Sequence, residues 1–557
     1  MAVSTIETPA PVAVTPPSDD PTWWRDAVIY QVYPRSFADL DGDGIGDLAG
    51  VRARLPYLRD LGVDALWFTP WYESPLADGG YDVADYRRIH PAFGTLDEAE
   101  RLIAEALAMG IRTIIDIVPN HVSDRHEWFT AALAAGPGSP ERERFWFRDG
   151  TGPDGDGMPT QWPSSFSGTT WTRTTNPDGS PGQWYLHLFT PEQPDLNWDH
   201  PDVRREHEDV LRFWFDRGVG GVRVDSAALV AKDASLPEIA GDYAPGQHPN
   251  LDRDDLHTIY ADWRSVADSY PGSRVLVGEI WLPDLDRFAL YLRPTEMHTA
   301  FNFDFMSRAW DAAGLRASIE QTLAAHAPVG APSTWVLSNH DVTRPVTRYG
   351  REESGFEFAA KRFGTPSDLE LGTRRARAAA LLTAALPGSL YIYQGDELGL
   401  PEAEDLPLAS LQDPMHFRSE GVDPGRDGCR VPLPWSGQAA PFGFSPADAD
   451  TEPWLPQPAS WASLTVEAQL DDPGSMLNLY RDALRLRRSI HDLHDTGLTW
   501  IDAGDDVICF ARGESFVHVS NLSGSPVELP PHTAVYLASD ELVDGRLPAD
   551  ASAWLSR

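Results

Sequence analysis

Length, composition and charge already limit what this chain can be. Its 557 residues are 42% hydrophobic and 23% charged, which is typical of folded globular proteins. A chain of this length exceeds one ordinary domain, so we expect a large domain with smaller attachments. The formal net charge of −39 would repel nucleic-acid phosphates and anionic membrane surfaces, which leaves a neutral small molecule as the expected partner.

The N-terminus and the cysteines bear on location. Residues 1–22 lack a basic leader and an apolar core of a signal peptide, and no apolar run approaches the roughly 20 residues that span a bilayer. Cys429 and Cys509 are too few for a disulfide framework or a cysteine metal cluster. We therefore expect a cytoplasmic protein without membrane attachment, preceded by a disordered Pro/Thr/Ala-rich tail over residues 1–22.

From Trp23 onward, short apolar segments alternate with helix-length amphipathic segments. One such segment, LDEAERLIAEALAMG, begins with acidic residues and ends at glycine, as helices commonly do. Eight buried strands alternating with helices predict an α/β fold, the (β/α)8 barrel or TIM barrel, whose functional groups gather at the carboxyl ends of the strands. The predicted strands are residues 28–33, 65–69, 113–118, 221–225, 275–279, 300–305, 335–338 and 389–393.

Two irregular stretches interrupt this alternation. Residues 121–194 are rich in Gly, Pro, Ser, Thr and Trp and predict an insert domain after the third strand. Residues 400–475 form a second irregular excursion after the eighth strand. Alternating segments over residues 495–557 predict a C-terminal antiparallel β-domain, so the barrel itself is expected over residues 23–120 and 195–494.

Acidic motifs follow or end four of the predicted strands. They are DIVPNH at residues 116–121, GVRVD ending at Asp225, GEIW with Glu279, and NHD ending at Asp341. Because parallel barrel strands release their carboxyl ends on one face, these distant carboxylates are expected to converge on one pocket.

With these motifs, QPDLNW at residues 193–198 and LPGSLYIYQGDELG at residues 386–399, the chain resembles the α-amylase family of glycoside hydrolases, family 13. It is most similar to the α-glucosidase and oligo-1,6-glucosidase branch, and the resemblance extends from Trp23 to the C-terminus. It implies that Asp225 is the nucleophile, Glu279 the general acid/base and Asp341 the carboxylate that stabilises the transition state.

Retaining glycoside hydrolysis needs one ionised and one protonated carboxyl group about 5–5.5 Å apart. Arg223 lies two residues before Asp225 on the same strand, so both side chains point to one side, and we expect Arg223 to hold Asp225 ionised. Neighbouring negative charge is expected to keep Glu279 protonated, with Trp281 as an apolar wall.

The resemblance also implies which residues bind the sugar. Tyr81 would stack beneath it, His121 and His340 would hydrogen-bond its hydroxyls, and Phe166 and Arg223 belong to the same binding set. A histidine suits this task because one ring nitrogen donates while the other is oriented by a neighbour.

A pair of charged residues is expected to make the site a closed pocket. The resemblance assigns this pair to Asp82 in GGYDVADY and Arg430 in GRDGCRVPLPW, which would close the far side around a terminal glucose. A pocket closed in this way accepts only a chain end, so the resemblance implies an exo-acting enzyme.

The loop DLDGDGIGDL at residues 39–48 places hard oxygen ligands at nearly alternating positions, which suits calcium. Gly50 stands where an EF-hand has its twelfth-position Glu, so this is not an EF-hand. The resemblance implies a structural, non-catalytic Ca²⁺ bound by Asp39, Asp41, Asp43, the carbonyl of Ile45, and Asp47.

The predicted function is release of terminal α-glucose from maltose-like oligosaccharides by a retaining α-glucosidase. The alternative is a transglucosylase or disaccharide isomerase with the same covalent intermediate; isomerisation is less favoured because VTRPVTRYG follows NHD in place of an RLDRD-type segment. A non-catalytic transporter subunit would need a membrane anchor. Ser226, directly after the nucleophile, is small and favours α-1,4 substrates, so Ser226→Val is expected to shift activity toward isomaltose.

Overall fold

The computed structural model describes residues 20–176, 178–358, 360–494 and 497–557. Most of the expected tail, residues 1–19, lies outside the described residues. The first helical turn is Trp23–Arg25, where the sequence predicts that regular structure begins.

Eight parallel strands form one sheet that curls into a barrel, as predicted. In sheet order they run β6-β5-β4-β3-β2-β1-β8-β7, so β6 and β7 meet at the seam. There the hydroxyls of Thr299 and Thr334 share a hydrogen bond of 2.5 Å. The strands are β1 Val28–Val32, β2 Ala65–Phe68, β3 Arg112–Ile117, β4 Gly221–Val224, β5 Val275–Gly278, β6 Thr299–Ala300, β7 Thr334–Val336 and β8 Ser389–Tyr393.

The predicted sixth strand is too long. The observed strand contains only Thr299–Ala300, and the chain then continues into the helix Phe303–Ser307. Asn302 explains the change, because its side chain caps that helix by accepting from the backbone N–H of Phe305 at 2.9 Å. The other seven strands lie within one or two residues of the predicted bounds.

Helices surround the sheet, and many begin at a polar capping residue. Thr95 and Glu98 form a capping box at the helix Leu96–Ala108, with each side chain bonded to the other's backbone. Within the described ranges, no helix combines the length and apolar character needed to cross a membrane. The remaining helices are Leu48–Leu61, Glu127–Ala135, Pro201–Phe215, Leu256–Asp268, Leu285–Leu290, Ala312–His326, Pro345–Tyr349, Leu369–Ala385, Pro414–Arg418, Val466–Leu470 and Met476–Ser489.

Side chains of the strands alternate between two cores. In β1, Ile29 joins a cluster inside the barrel with Trp67 and Tyr391, whereas Val28 and Tyr30 pack outward against the helices. This alternation follows from the two-residue period of a strand. The barrel interior is therefore filled, and the site can form only above the carboxyl ends.

Three smaller sheets accompany the barrel. A hairpin pairs Tyr72–Glu73 with Asp85–Ile89. Within residues 121–194, the antiparallel strands Phe147–Arg148, Trp171–Thr175 and Pro181–Leu186 form the second sheet. The third is a C-terminal antiparallel sheet of five strands, in sheet order Leu498–Trp500, Val507–Arg512, Phe516–Asn521, Ala551–Ser556 and Ala534–Ala538.

The C-terminal sheet docks on the barrel through the helix Leu369–Ala385. The indole N–H of Trp554 donates to the carbonyl of Leu381 at 3.0 Å, and the hydroxyl of Ser552 donates to the carbonyl of Ala378 at 2.9 Å. The two sheets are thus joined on the side of the barrel, away from the strand ends that carry the acidic motifs.

Candidate active site

Arg223 on β4 is the centre of the predicted catalytic group. Its Nη1 lies 2.9 Å from Asp116 Oδ1 and 2.7 Å from Asp225 Oδ1, and its Nη2 lies 2.8 Å from Glu279 Oε2. Asp116 and Arg223 are register partners on β3 and β4, while Asp225 and Glu279 directly follow β4 and β5. Strand register therefore brings three carboxylates onto one guanidinium.

Asp225 is buried beside two other acids in this arrangement. Burial raises the pKa of Asp225 well above its usual range; Arg223 opposes this shift, while the charges of Glu279 and Asp116 and a hydrogen bond to Glu279 add to it. Burial likewise raises the pKa of Asp116 to about 7. Arg223 lowers the pKa of Asp225, which is the expected direction, but its one cation is divided among three buried acids and does not offset the effect of burial.

Glu279 is held by donors on both of its oxygens. Oε2 accepts from the backbone N–H of Ser226 at 2.9 Å in addition to Arg223, and Oε1 accepts from the indole N–H of Trp281 at 3.1 Å. Ser226 has φ +46°, in the left-handed region that a non-glycine residue rarely adopts. That turn directs its N–H at Glu279, a pattern of strain typical of functional sites.

Asp341 lies between two arginines from the excursion after β8. Its Oδ1 is 2.8 Å from Arg430 Nη2 and 3.1 Å from Arg426 Nη1, and His340 Nε2 is 3.3 Å from its Oδ2. Burial works against ionisation, yet His340 and these arginines lower the pKa of Asp341 below its usual range. Asp341 is therefore ionised across the neutral pH range.

The predicted pair of Asp82 and Arg430 does not form. Asp82 accepts from the backbone N–H groups of Ala77 and Asp78, both at 3.0 Å, and burial raises its pKa to about 6. Arg430 instead donates to the carbonyl of His340 and to Asp341. Asp82 thus shapes the turn before Tyr81, and Arg430 supports the NHD segment.

The ion pair that closes the pocket is Asp78 with Arg426. Arg426 Nη2 lies 2.6 Å from Asp78 Oδ1. The same guanidinium also donates to the carboxylate of Asp413, from Nε at 2.6 Å and from Nη2 at 3.0 Å. All three side chains are buried. The excursion over residues 400–475 is thereby tied to the loop after β2, which closes one side of the site.

His121 is oriented by a buried network. Lys232 donates to Asn120 Oδ1, so the amide nitrogen of Asn120 faces His121 Nδ1 at 3.0 Å. The other ring nitrogen, Nε2, lies 3.2 Å from the carbonyl of Tyr81. Burial, with Lys232 nearby, lowers the pKa of His121 to about 3, so the ring stays neutral.

Gln193, the first residue of QPDLNW, joins two parts of the site. Its amide nitrogen lies 3.1 Å from Asp78 Oδ2 and 3.0 Å from His121 Nε2, while its carbonyl accepts from the backbone N–H of Thr190. The residue is fully buried. The signature motif therefore sets the distance between the pocket-closing aspartate and His121.

Aromatic rings line the remaining walls. Tyr81 stacks on His340 with ring centres 5.3 Å apart and planes 2° apart, and its hydroxyl donates to Asp116 at 2.9 Å. The amide nitrogen of Gln31 lies 2.7 Å from His340 Nδ1. Phe166 lies under the Arg426 guanidinium, 4.8 Å from its ring centre. The structure thus brings the aromatic and histidine candidates into the same pocket as the carboxylates.

The acidic loop after β1 brings three of its predicted ligands together. Carboxylate oxygens of Asp39, Asp41 and Asp43 all lie within 4.8 Å of one another, a spacing that fits oxygens on one Ca²⁺ at 2.3–2.6 Å each. Asp47 is outside this group, because it caps the helix Leu48–Leu61 by accepting from the N–H of Gly50 and of Leu40.

Sequence reasoning missed Asp78, Arg426, Asp413 and Gln193. Two of the four lie inside motifs and a third adjoins one: Arg426 is the first arginine of GRDGCRVPLPW, Gln193 begins QPDLNW, and Asp78 directly precedes GGYDVADY. Only Asp413 lies in a segment without such a signal.

A parallel barrel with a group of nearly buried carboxylates at the carboxyl ends of its strands is the arrangement typical of an enzyme active site. The side chains of Asp225, Glu279 and Asp341 are only 10%, 11% and 15% exposed. Residues 31–496 match the family model of the alpha-amylase catalytic domain. The chain therefore belongs to the alpha-amylase family and is a glycoside hydrolase.

Individual relatives are similar over nearly the whole chain. An oligo-1,6-glucosidase of Parageobacillus thermoglucosidasius is 32% identical, with 94% of each chain covered. A trehalose-6-phosphate hydrolase of Escherichia coli (strain K12) is 34% identical, covering 90% of this chain and 91% of the relative. The crystal structure of an α-glucosyl transfer enzyme has a TM-score of 0.82 and 34% identity, with coverage of 96% and 99%.

Proposed function

We propose that the chain is a retaining, exo-acting α-glucosidase that releases terminal α-glucose from maltose-like oligosaccharides. The observation that carries this proposal is the pair of carboxyl groups, Asp225 and Glu279, held together on Arg223 beside Asp341. The ion pair of Asp78 and Arg426 across one side supports a pocket for a chain end rather than an open cleft.

Two balanced steps follow from this arrangement. The sugar enters beside the two carboxyl groups, with Asp225 ionised and Glu279 protonated. Asp225 forms a bond to the anomeric carbon while the glycosidic bond breaks. The electron pair of the glycosidic bond stays on the oxygen of the leaving group, and this oxygen takes the proton of Glu279. Glu279 then removes a proton from water, whose oxygen attacks the anomeric carbon and releases Asp225.

A neutral leaving group suits the mouth of the site better than a phosphorylated one. Two further cations contact Gly425 and Ser167, which adjoin Arg426 and Phe166 in the chain, and both are already bonded to the protein. Lys361 Nζ is 2.6 Å from Asp423, and Arg418 donates to the carbonyls of Ser167 at 2.7 Å and Thr169 at 3.0 Å. Neither side chain offers the pair of available N–H donors that would bind a phosphate ester.

Glucosyl transfer is the second candidate. The observation that favours it is an aromatic surface beside the acid/base: Trp281 stacks on Phe303, and Phe358 meets Trp281 edge-on while 39% exposed. Such a surface can bind the ring of an acceptor sugar. Products formed with and without an added acceptor distinguish transfer from hydrolysis.

A structural calcium ion is part of the proposal. Asp39, Asp41 and Asp43 supply hard oxygen ligands at a fitting separation, with the carbonyl of Ile45 as an expected fourth. The ion would fasten the loop after β1 and take no part in the chemistry. A cytoplasmic location is also proposed, supported by the free, buried thiols of Cys429 and Cys509.

The roles of the two carboxyl groups can be tested separately. Asp225→Asn should abolish turnover of maltose and of an aryl α-glucoside, because no covalent intermediate forms. Glu279→Gln should lower kcat/KM for maltose about 10²–10⁴-fold, the usual contribution of a general acid. It should spare formation of the intermediate from an aryl glucoside, whose leaving group needs no proton. Equal losses on both substrates would contradict the acid/base role.

A further inference from the structure

The two oxygens of Glu279 have chemically different partners. Oε2 is bonded to the cation of Arg223 at 2.8 Å and to the backbone N–H of Ser226 at 2.9 Å. Oε1 has one neutral donor, the indole N–H of Trp281 at 3.1 Å. Oε1 therefore keeps the freer lone pair and is the oxygen suited to exchange a proton with a glycosidic oxygen.

The direction of the Trp281 N–H is fixed by packing. The indole lies face to face with Phe303, with ring centres 3.8 Å apart and planes 2° apart, and Phe358 meets it edge-on at 4.7 Å. Phe303 is placed there because the chain turns into the helix Phe303–Ser307 directly after the short strand β6. The indole is thus held between two rings with its one polar group turned to Glu279.

We propose that Trp281 is a positioning residue that orients the acid/base and stabilises its ionised form as the leaving group departs. The inference rests on the acid/base role proposed above for Glu279. When the glycosidic bond breaks, the proton of Glu279 passes to the leaving oxygen and a carboxylate remains. A hydrogen bond from Trp281 to that carboxylate is stronger than the same bond to the neutral acid, so it lowers the barrier of this step.

The other charges around Glu279 and Trp281 come from several elements. Asp116 on β3, Arg223 on β4 and Asp225 after it interact directly with the acid/base, and Asp341 after β7 interacts with the same arginine. Next to Phe303 and Phe358 in the chain, Asp304 is paired with Arg308, and Glu357 with Arg362. A neutral substitution at Trp281 changes none of these charges, so a shift in pH dependence reports the loss of the N–H.

Trp281→Phe removes the N–H and keeps an aromatic ring in the stack. We expect kcat/KM for maltose to fall about tenfold and the alkaline limb of its pH profile to move up by about one unit, because one pH unit corresponds to a tenfold change. For an aryl α-glucoside with a good leaving group, the expected loss is less than about twofold. Trp281→Met, which also lacks the donor but fills irregular space, serves as a second variant.

Trp24→Phe is the matched control, since it removes an indole N–H that donates to the carbonyl of Pro21 at 3.1 Å and not to Glu279. It should leave the pH profile and the ratio of the two substrates unchanged. If the Trp281 variants alter both substrates equally and the pH limb stays in place, Trp281 only packs and the inference is wrong. If the unaltered enzyme does not cleave maltose, or Glu279→Gln affects both substrates alike, the proposed function fails instead.

Discussion

Replacing Asp78 with Asn tests which aspartate grips the terminal sugar. Asp78 is almost fully buried, with Arg426 Nη2 at 2.6 Å and the amide of Gln193 at 3.1 Å. Asn has the same shape but no charge, so Asp78→Asn weakens the pair with Arg426 and any bond to a sugar hydroxyl. Arg426 itself remains bonded to Asp413 and Asp341, which should preserve the fold.

The expected magnitude follows from the kind of bond that is lost. A hydrogen bond to a charged group contributes about 1.5–3 kcal/mol, which corresponds to a fall of roughly 10- to 150-fold in kcat/KM. Asp82→Asn is the control, because Asp82 accepts from two backbone N–H groups and from the side chain of Ser74 within this turn. It should cost about 1–3 kcal/mol of stability and change kcat/KM by less than about threefold.

The assay is initial-rate hydrolysis of maltose by both variants, with competitive inhibition by glucose and urea unfolding measured on the same preparations. Asp78→Asn should bind glucose more weakly and unfold near the midpoint of the unaltered protein. The reverse result, a large kinetic loss in Asp82→Asn with Asp78→Asn nearly normal, would refute the reasoning and restore the pairing read from the sequence.

Three further results are expected. Ser226→Val should raise the isomaltose-to-maltose rate ratio several-fold while Ser226→Ala does not, and Val at φ +46° should cost about 1–3 kcal/mol of stability; an unchanged ratio discards the linkage idea. Chelation should lower Tm, added Ca²⁺ should restore it, and Asp41→Asn should blunt both effects; a constant Tm means that no ion binds. The hydrogen bond to Asp26 stabilises the protonated form of His494 and raises its pKa. Its contribution to folding stability is therefore fully present below the usual histidine pKa and is lost as pH rises through the pKa of His494 in the folded protein. His494→Gln should therefore cost less than about 1 kcal/mol at pH 6 and nothing at pH 9, the pair being partly exposed; equal costs at both pH values contradict the ion pair.

The barrel and its carboxylates could be predicted because each depends on local sequence. Buried strands are short apolar runs, and a motif at the end of such a run must lie at the mouth of a parallel barrel. This suffices to place Asp225, Glu279 and Asp341 in one pocket. The sixth strand was overestimated because an apolar run does not distinguish a strand from a helix, and only the cap at Asn302 decides.

The pairing across the pocket could not be predicted from spacing. GGYDVADY follows Asp78 and contains Asp82, and GRDGCRVPLPW contains Arg426 and Arg430, so each motif offers two candidates four residues apart. The turn geometry decides between them, since one aspartate faces backbone N–H groups and the other faces a guanidinium. The raised pKa of Asp225 likewise depends on distances that no motif contains.

The most direct test of the central claim is a time-resolved proton NMR spectrum of the enzyme with maltose. Retaining, exo-acting hydrolysis predicts that the glucose from the non-reducing unit is released as the α anomer, in addition to the mixed anomers that the reducing unit already carries. Initial release of the non-reducing unit as β-glucose would contradict the covalent intermediate on Asp225. New glucosidic signals without matching free glucose would contradict hydrolysis as the main reaction and favour transfer.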